Sequence, residues 1–416
     1  MSPGDTAWVL ASAALVLFMT PGLALFYGGM VRSKGVLSVM MLSFVSMGLI
    51  TVLWAVYGFS LAFGHDIGGG LLGGVGRAGL HDMTHPLAGF RGLHVSPMAV
   101  MIFQMMFAVI TAALISGGTV DRIRFTGFVV FIALWFTLVY VPLAHWVFSP
   151  GGWLAQRGVL DFAGGTVVEI NSGFSTLAIV LVLGRRRGWP RETMPPHSVP
   201  LTLLGAGILW FGWFGFNAGS ALAANGVAVS AMVNTQLAAA AGLLAWLVFE
   251  LFRERVATTL GAASGAVAGM VAITPCAGYI GPMPALAVGA VAGLGCAFAV
   301  RLKFRYRYDD SLDVLGVHGV GGIIGMLLLG LFAARSVNRT GANGLFSGGG
   351  FHLLGEQALA TVVAIGFCFG VTYLIAQLVD RTIGLRVSAE DEASGIDLAQ
   401  HAEAAYSLTS TGGAGR

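Results

Sequence analysis

The sequence predicts an all-α integral membrane protein with about eleven membrane-spanning helices. Of its 416 residues, 56% are hydrophobic and 10% are charged, whereas a soluble domain carries about 25% charged residues. A chain with so few charges cannot cover its surface with polar groups in water, so a lipid bilayer is the solvent that fits. The net charge of +3, without a basic run that interleaves with aromatics, argues against a nucleic-acid partner.

Eleven apolar stretches have about the 20 residues that a helix needs to cross the hydrocarbon core. They lie at about 7–30, 36–63, 98–120, 125–147, 162–184, 199–224, 226–252, 256–276, 280–300, 311–334 and 357–380. Their interiors are rich in glycine and alanine, and these small residues let helix backbones approach closely where lipid provides no hydrophobic drive for association.

The 22 Lys and Arg residues divide unevenly between the two ends of these stretches. Sixteen follow odd-numbered stretches and five follow even-numbered ones, and the remaining one, Arg416, is the last residue of the sequence. The positive-inside rule therefore predicts an outside amino terminus and a cytoplasmic carboxyl terminus, which requires an odd number of helices. We expect residues 1–380 to form the membrane domain and residues 381–416 to form a cytoplasmic tail.

A short internal repeat links the fifth and the tenth stretch. Asp161 and Glu169 stand eight residues apart at the start of the fifth, and Asp310 and His318 stand eight apart at the start of the tenth. By the predicted topology, the two five-helix halves begin on opposite sides of the membrane. We therefore predict two inverted five-helix repeats plus a final helix, with a central site near the midplane.

Glu169 and His318 are candidate pore residues, because ionisable groups inside membrane helices cost a few kcal/mol and mark pathways by default. Each lies about two turns inside its predicted helix. Asp161 is better explained as a helix cap, since a carboxylate accepts hydrogen bonds from the free N–H groups at a helix start. Glu250 lies close to Arg253, and a local ion pair between them explains it.

Aromatic side chains cluster in two further segments. Trp213 and Phe216 belong to an aromatic run that precedes Ser220, and Phe103 and Phe107 stand one helical turn apart. Near an outer mouth, such rings can hold a small cation by cation–π attraction, with Ser220 accepting a hydrogen bond. Such stripes usually reflect helix packing, and the residues alone leave both explanations open.

Several motifs, spread in order over nearly the whole chain, closely resemble those of the ammonium transporter (Amt/Mep/Rh) family. They are FYGG at 26–29, DRIRF at 121–125, DFAGGTVV at 161–168, GWFGFNAGS at 212–220, TPCAGYIG at 274–281 and GVHG at 316–319. The resemblance implies a transporter for ammonium or ammonia in a bacterial inner membrane. It further implies a homotrimer with one pore per subunit, an outside amino terminus, no enzymatic activity and no cofactor.

Residue by residue, the resemblance implies a role for most of the candidates. Phe107 and Phe216 look like the family's stacked ring gate, and Phe103 and Ser220 look like parts of its outer recruitment site. His318 looks like the inner member of the family's pair of pore histidines.

Asp161 looks like the family's characteristic acid, which supports the structure and helps to recruit the cation. Two positions depart from the family pattern. Glu169 stands where the family usually has its first pore histidine, as in one fungal branch. Phe148 stands where most bacterial members have a tryptophan, and Trp146 or Trp153 is an alternative source of that ring.

The resulting hypothesis is electrogenic passage of ammonium past Glu169 and His318, after recruitment and loss of water at the outer mouth. The main alternative is an ammonium sensor of the same fold with little or no conduction. A carbon dioxide channel would not need Glu169. An enzyme would need a metal cluster or a nucleophile–base pair, and the grouping of His81, His85 and His94 in a glycine-rich loop is a weak candidate.

The segment after residue 380 carries motifs of its own. They are GLRV at 384–387, GID at 395–397 and HAEAAY at 401–406. They resemble the family's regulatory tail, which implies a cytoplasmic PII-type signal protein as a partner.

Overall fold

The computed structural model describes residues 1–90 and 92–406, and within those ranges it contains helices and no β-strand. Eleven apolar helices follow one another along that part of the chain. They are α1 (Pro3–Met30), α2 (Val36–Leu53, continued by Trp54–Gly58 and Phe59–Phe63), α3 (Pro97–Thr119), α4 (Phe125–Trp135, continued by Phe136–Tyr140 and Val141–Phe148), α5 (Gly165–Ile170 and Asn171–Leu183), α6 (Val199–Gly219), α7 (Gly226–Glu254), α8 (Thr259–Ile273), α9 (Pro282–Ala299), α10 (Leu315–Gly319 and Val320–Phe332) and α11 (His352–Thr382). Ten of them are long and apolar enough to cross a membrane, which confirms the predicted all-α membrane fold.

Helix α8 is shorter than the apolar stretch at 256–276 predicts. It has 15 residues and ends at Ile273. The chain leaves the helix at Thr274 and Pro275, since proline has no N–H to continue a helical ladder. Tight turns follow, in which the Cys276 N–H donates to the Ile273 carbonyl and the Tyr279 N–H donates to the Cys276 carbonyl.

Serine caps explain where two of the helices begin. The Ser96 hydroxyl accepts from the Ala99 N–H at 3.2 Å, and the Ser198 hydroxyl accepts from the Leu201 N–H at 3.3 Å. Each serine precedes a helix with proline in its first turn, where the missing N–H costs nothing. The starts of α3 and α6 are therefore encoded locally.

Glu250 has a different partner from the one predicted. Its carboxylate accepts from the Thr258 N–H at 2.8 Å, the Thr258 hydroxyl at 3.0 Å and the Trp246 indole at 3.2 Å. The predicted pairing with Arg253 is wrong, because Thr258 is the N-cap of α8 and Glu250 completes that cap.

The internal repeat corresponds to two helix starts of the same design. An Asp161 oxygen accepts from the Thr166 N–H at 2.8 Å, and an Asp310 oxygen accepts from the Leu315 N–H at 2.7 Å. Each carboxylate thus binds the backbone five residues further along the chain, at the beginning of α5 and of α10. The helices α5 and α10, which occupy equivalent positions in the two five-helix halves, therefore begin with equivalent carboxylate caps.

Glycine allows α5 and α10 to touch. A Cβ atom on Gly173 would lie 2.4 Å from the Gly319 Cα, and one on Gly322 would lie 2.9 Å from the Glu169 Cβ. Gly173 follows Glu169 by four residues, as Gly322 follows His318. The contact is therefore reciprocal between the halves, and it brings Glu169 close to His318.

Beyond α11 the chain turns back onto the ends of earlier helices, through α12 (Ala389–Ser394) and α13 (Ile396–His401). Asp397 accepts from the Leu37 N–H at 3.0 Å and from the Ser38 N–H at 2.7 Å, and Glu392 accepts from the Arg187 N–H at 2.6 Å. The links after α1 and α5 therefore lie on the same side as the tail. Residues 407–416 of the predicted tail, and Arg91, lie outside the described residues.

Candidate functional site

Aromatic rings meet where α3 approaches α6. The ring centroids of Phe107 and Phe216 are 4.1 Å apart, with planes inclined by 20°, and neither residue is more than 1% exposed. Phe103 meets Phe107 edge-on at 4.9 Å, and Phe148 at the end of α4 meets it edge-on at 6.4 Å. The four predicted rings are thus one cluster, whose faces attract cations.

Ser220 and Trp213 lie on either side of Phe216 along the chain. The Ser220 hydroxyl donates to the Phe216 carbonyl at 2.8 Å, which leaves its lone pairs able to accept a hydrogen bond. The Trp213 indole donates to the Thr274 hydroxyl at 3.0 Å, and the Trp213 ring lies 5.6 Å from that of Phe216.

The sequence left open whether Phe148 or one of two nearby tryptophans, Trp146 and Trp153, adds a ring to the cluster around Phe107. In the structure, Phe148 is the one that contacts Phe107. Trp146 packs on Phe367 at 4.4 Å and on Trp153 at 5.9 Å, and its indole donates to the Leu71 carbonyl. Trp146 and Trp153 therefore belong to the packing around the end of α4, whereas Phe148 contacts Phe107.

A narrow cavity adjoins the stacked rings. Its interior has room for about one water molecule. Apart from Glu169 and His318, its walls are apolar or aromatic. They consist of Met19, Leu23, Phe26, Ile110, Leu114, Val168, Leu209, Trp213, Phe216 and Val267.

Glu169 and His318 form a direct contact at this cavity. The Glu169 Oε2 lies 2.7 Å from the His318 Nδ1, and the two residues are 1% and 5% exposed. The other oxygen, Oε1, has no hydrogen-bond partner among the described residues. His318 also lines a second cavity, together with Asp313 and Tyr27. His318 therefore borders both cavities.

Both residues lie nearer their helix starts than predicted. Glu169 lies in the π-helical turn Gly165–Ile170, and His318 lies in the π-helical turn Leu315–Gly319. The expected depth of about two turns is wrong, because left-handed backbone at Gly164 and Asp313 delays both helix starts. Such turns are frequent at functional sites.

Asp161 acts as the predicted helix cap. Its carboxylate accepts from the N–H groups of Gly164, Gly165 and Thr166 at 2.6–2.8 Å and from the Thr166 hydroxyl at 2.5 Å. These bonds fix the first turn of α5, and through it the place of Glu169.

The contact constrains where a proton resides. A carboxylate oxygen at 2.7 Å from an imidazole nitrogen shares one proton with it. If His318 is neutral and donates through Nδ1 to an ionised Glu169, the pair has a net charge of −1. Such a pair can balance one monovalent cation in a cavity that excludes most water.

Sequence reasoning missed most of the apolar cavity wall. Met19, Leu23, Ile110 and Leu114 belong to ordinary apolar stretches, and nothing in their spacing distinguishes a lining position from a packing position. Thr274, the partner of Trp213, was within a quoted motif but had no assigned role.

Within the described ranges, no three His, Cys, Asp or Glu side chains lie close enough together to hold a metal ion. Of the three loop histidines, His85 hydrogen-bonds to Asp82 on the protein surface. The grouping that the sequence suggested as a weak zinc candidate is therefore not assembled in this structure.

Comparisons with known proteins identify the family of this chain. The profile of the Ammonium Transporter Family matches residues 7–406. An ammonium transporter of Mycobacterium tuberculosis is 50% identical over 441 aligned positions, which cover 99% of this chain and 91% of the relative. The crystal structure of Saccharomyces cerevisiae Mep2 has a TM-score of 0.87 at 36% identity, covering 94% of this chain and 88% of that one.

A second solved structure, described as "Sensor Amt Protein", has a TM-score of 0.86 at 30% identity and covers 96% of this chain and 98% of its own. The family profile spans almost all of the described helices, and the relatives are matched over nearly their full lengths. The chain is therefore a multi-pass membrane protein that belongs to the ammonium transporter family.

Proposed function

We propose that this protein transports ammonium across the cytoplasmic membrane, through the passage that holds the Phe107–Phe216 stack and the Glu169–His318 pair. The observation that carries the proposal is the 2.7 Å contact of Glu169 with His318 at the wall of a narrow apolar cavity. Burying an acid beside an imidazole costs desolvation free energy. Ionisable groups are therefore expected inside a membrane protein mainly along the pathway of an ion or a proton.

Recruitment takes place at the ring cluster. Hydrated ammonium meets the faces of Phe103 and Phe148, and one N–H donates to the Ser220 hydroxyl. Ring faces replace part of the water shell at a gain of about 0.5–2 kcal/mol each. Passage further inward requires the stacked rings of Phe107 and Phe216 to separate.

Beyond the rings, the cavity favours either a neutral molecule or a balanced charge, since an uncompensated ion is expensive there. The free Glu169 Oε1 accepts an N–H bond from ammonium. When the N–H bond breaks, the proton passes to this oxygen and ammonia leaves as a neutral molecule. His318, which borders both cavities, then passes the proton onward.

Ammonium could pass the pair intact or as ammonia followed by its proton, and either route moves one positive charge per nitrogen atom. Ammonium that crosses intact carries its own charge, and ammonia that leaves its proton behind is followed by that proton. We therefore propose electrogenic transport past Glu169 and His318.

The test is the current on solid-supported membranes after an ammonium jump. Glu169→Gln keeps the shape of the side chain and removes its negative charge, so the current should fall at least tenfold. Glu356→Gln is the matched control, because Glu356 binds Arg157 at the protein surface and should leave the current unchanged. Full current in Glu169→Gln would contradict the proposal.

A second candidate function is ammonium sensing with little or no conduction. The similarity to "Sensor Amt Protein" favours it, as does Phe148, whose ring attracts cations more weakly than tryptophan would. Ammonium binding without current in the wild-type protein would establish the sensor and exclude the transporter.

We further propose a homotrimer with one pore per subunit in the bacterial inner membrane, with the amino terminus outside and the carboxyl terminus cytoplasmic. The sixteen-to-five distribution of basic residues supports this orientation, and native mass spectrometry of the purified protein tests the trimer. A PII-type signal protein is the proposed partner of the tail at 381–416. Equal PII binding by the full chain and by a variant without 381–416 would refute that partner site.

A further inference from the structure

A second carboxylate–imidazole pair lies at the outer end of α4, apart from the cavity just described. His145 is 0% exposed. Its Nε2 lies 3.2 Å from the Asp66 Oδ1, and its Nδ1 lies 2.8 Å from the Ala62 carbonyl oxygen. Both ring nitrogens therefore face oxygen atoms.

These partners determine how many protons the ring carries. The Ala62 carbonyl can only accept, so the His145 Nδ1 must carry a hydrogen. In a neutral ring, Nε2 would then present a lone pair to the Asp66 carboxylate, and the two would repel. The pair consequently holds one more proton, between Nε2 and the Asp66 oxygen.

The surroundings of Asp66 place that proton on the ring. The same Oδ1 atom also accepts the Gly70 N–H at 2.8 Å. Partial burial acts to raise the pKa of Asp66, but the hydrogen bonds from Gly70 and His145 outweigh it and lower the pKa. Asp66 is thus the charged group in contact with His145. The neighbouring titratable group on the loop is His65, whose ring bonds to the Asp66 carbonyl.

This pair joins two segments near the outer rings. The Trp153 N–H donates to the Gly70 carbonyl at 3.1 Å, and the Trp146 indole donates to the Leu71 carbonyl at 2.8 Å. A Cβ atom on Gly151 would lie 3.2 Å from the Asp66 Cβ. The loop after α2 and the link after α4 are therefore tied together on both sides of Phe148.

We propose that Asp66 and His145 form a carboxylate–imidazolium pair that positions Phe148 against Phe107 and so sets the ammonium affinity of the outer mouth. Neither residue touches the substrate, so both are positioning residues. The affinity part rests on the proposed function, because it assumes that Phe148 contacts ammonium.

Imidazole ¹⁵N NMR of the full chain, labelled at its nine histidines, tests the pair without any transport. At pH 7.5 we expect an imidazolium signal that disappears in His145→Gln and becomes neutral in Asp66→Asn. His197 is the internal control. Its Nδ1 faces the Val31 carbonyl, but its Nε2 faces the Tyr406 hydroxyl, which can donate, so His197 should be neutral. A neutral His145 in the wild-type protein would overturn the proposal.

Ammonium binding measured by calorimetry tests the positioning role. Asp66→Asn should raise the dissociation constant at least threefold at pH 7.5. The Glu356→Gln variant should match the wild type. Equal affinity in Asp66→Asn and wild type would overturn the positioning role. If the wild-type protein binds ammonium but carries no current, the proposed transport is refuted and the positioning role is not affected.

Discussion

The two carboxylate–imidazole pairs of this molecule have the same chemistry and different surroundings. In the open pair, Glu169 and His318, one carboxylate oxygen has no partner among the described residues, and His318 borders two cavities. In the closed pair, Asp66 and His145, both imidazole nitrogens and the shared carboxylate oxygen are bonded to protein groups.

The difference teaches where to look for function. Polar atoms that are bonded to other protein groups hold segments together. A polar atom without a partner at a cavity can instead form a hydrogen bond with a passing molecule. An acid beside a histidine is therefore not by itself a transport site, and the free oxygen of Glu169 is what distinguishes the open pair.

The largest expected effect is on current when the open pair is removed. Glu169→Ala takes away the free acceptor and the negative charge, so the ammonium current should fall at least tenfold. The current should be compared per folded protein, because loss of the His318 partner and the cavity left by alanine also lower stability. Undiminished current in the folded variant would contradict the role of Glu169 in the passage.

Asp309 is a buried carboxylate that is bonded to protein groups, so we expect its removal to affect stability. Its carboxylate accepts three bonds at 2.7–2.9 Å from the Arg186 backbone and guanidinium. Burial acts to raise the pKa of Asp309, but the bonds from Arg186 and the charges of Arg122 and Arg186 lower it. Asp309→Asn leaves buried arginines without their counter-charge, so it should cost about 3–5 kcal/mol near neutral pH.

The sign of the pH dependence follows from the lowered pKa of Asp309. A carboxyl group whose pKa falls on folding stabilises the folded protein above its ordinary value of about 3.9. That contribution disappears as the pH drops through the still lower folded value. Thermal unfolding should therefore separate wild type from Asp309→Asn at pH 7, and the gap should close only at strongly acidic pH. A gap that closes at pH 6 would contradict the assignment.

A smaller effect is expected where α5 crosses α10 beneath the open pair. Gly173→Ala places a Cβ atom 2.4 Å from the Gly319 Cα, and overpacking of this kind costs about 1–3 kcal/mol. Gly366→Ala on α11 is the control, since its Cβ would meet nothing within 4 Å. Thermal unfolding should show a loss for Gly173→Ala alone, and equal stability of the two variants would mean that the helices separate freely.

The smallest effect concerns Phe148, which the closed pair is proposed to position. Phe148→Trp should tighten ammonium binding about two- to fivefold, corresponding to about 0.5–1 kcal/mol of added cation–π attraction. Calorimetry measures it. Weaker binding by the tryptophan variant would place Phe148 away from the cation.

Much of the architecture could be read from the sequence, because apolar length and the distribution of arginine are one-dimensional properties. The helices, the cap at Asp161 and the proximity of Glu169 to His318 follow from stretch lengths, from residue type and from an eight-residue spacing, whereas the cap at Asp310 was found only in the structure. The shortened α8 could not be read, since hydropathy does not show that Pro275 ends a helix inside an apolar stretch.

The closed pair could not be predicted from the sequence for a different reason. Asp66 and His145 are 79 residues apart, and neither belongs to a repeated pattern. The depth of Glu169 and His318 was misjudged, because the left-handed backbone at Gly164 and Asp313 shortens both helices. Such details depend on contacts between distant segments, which one sequence does not display.

The most direct test of the account is the charge moved per nitrogen atom transported. Proteoliposomes with purified protein would receive ¹⁵N-labelled ammonium, and the integrated current would be compared with the labelled nitrogen taken up. The account predicts one positive charge per nitrogen, for wild type and for Glu356→Gln alike. Uptake of nitrogen without charge would contradict passage of ammonium past Glu169 and His318.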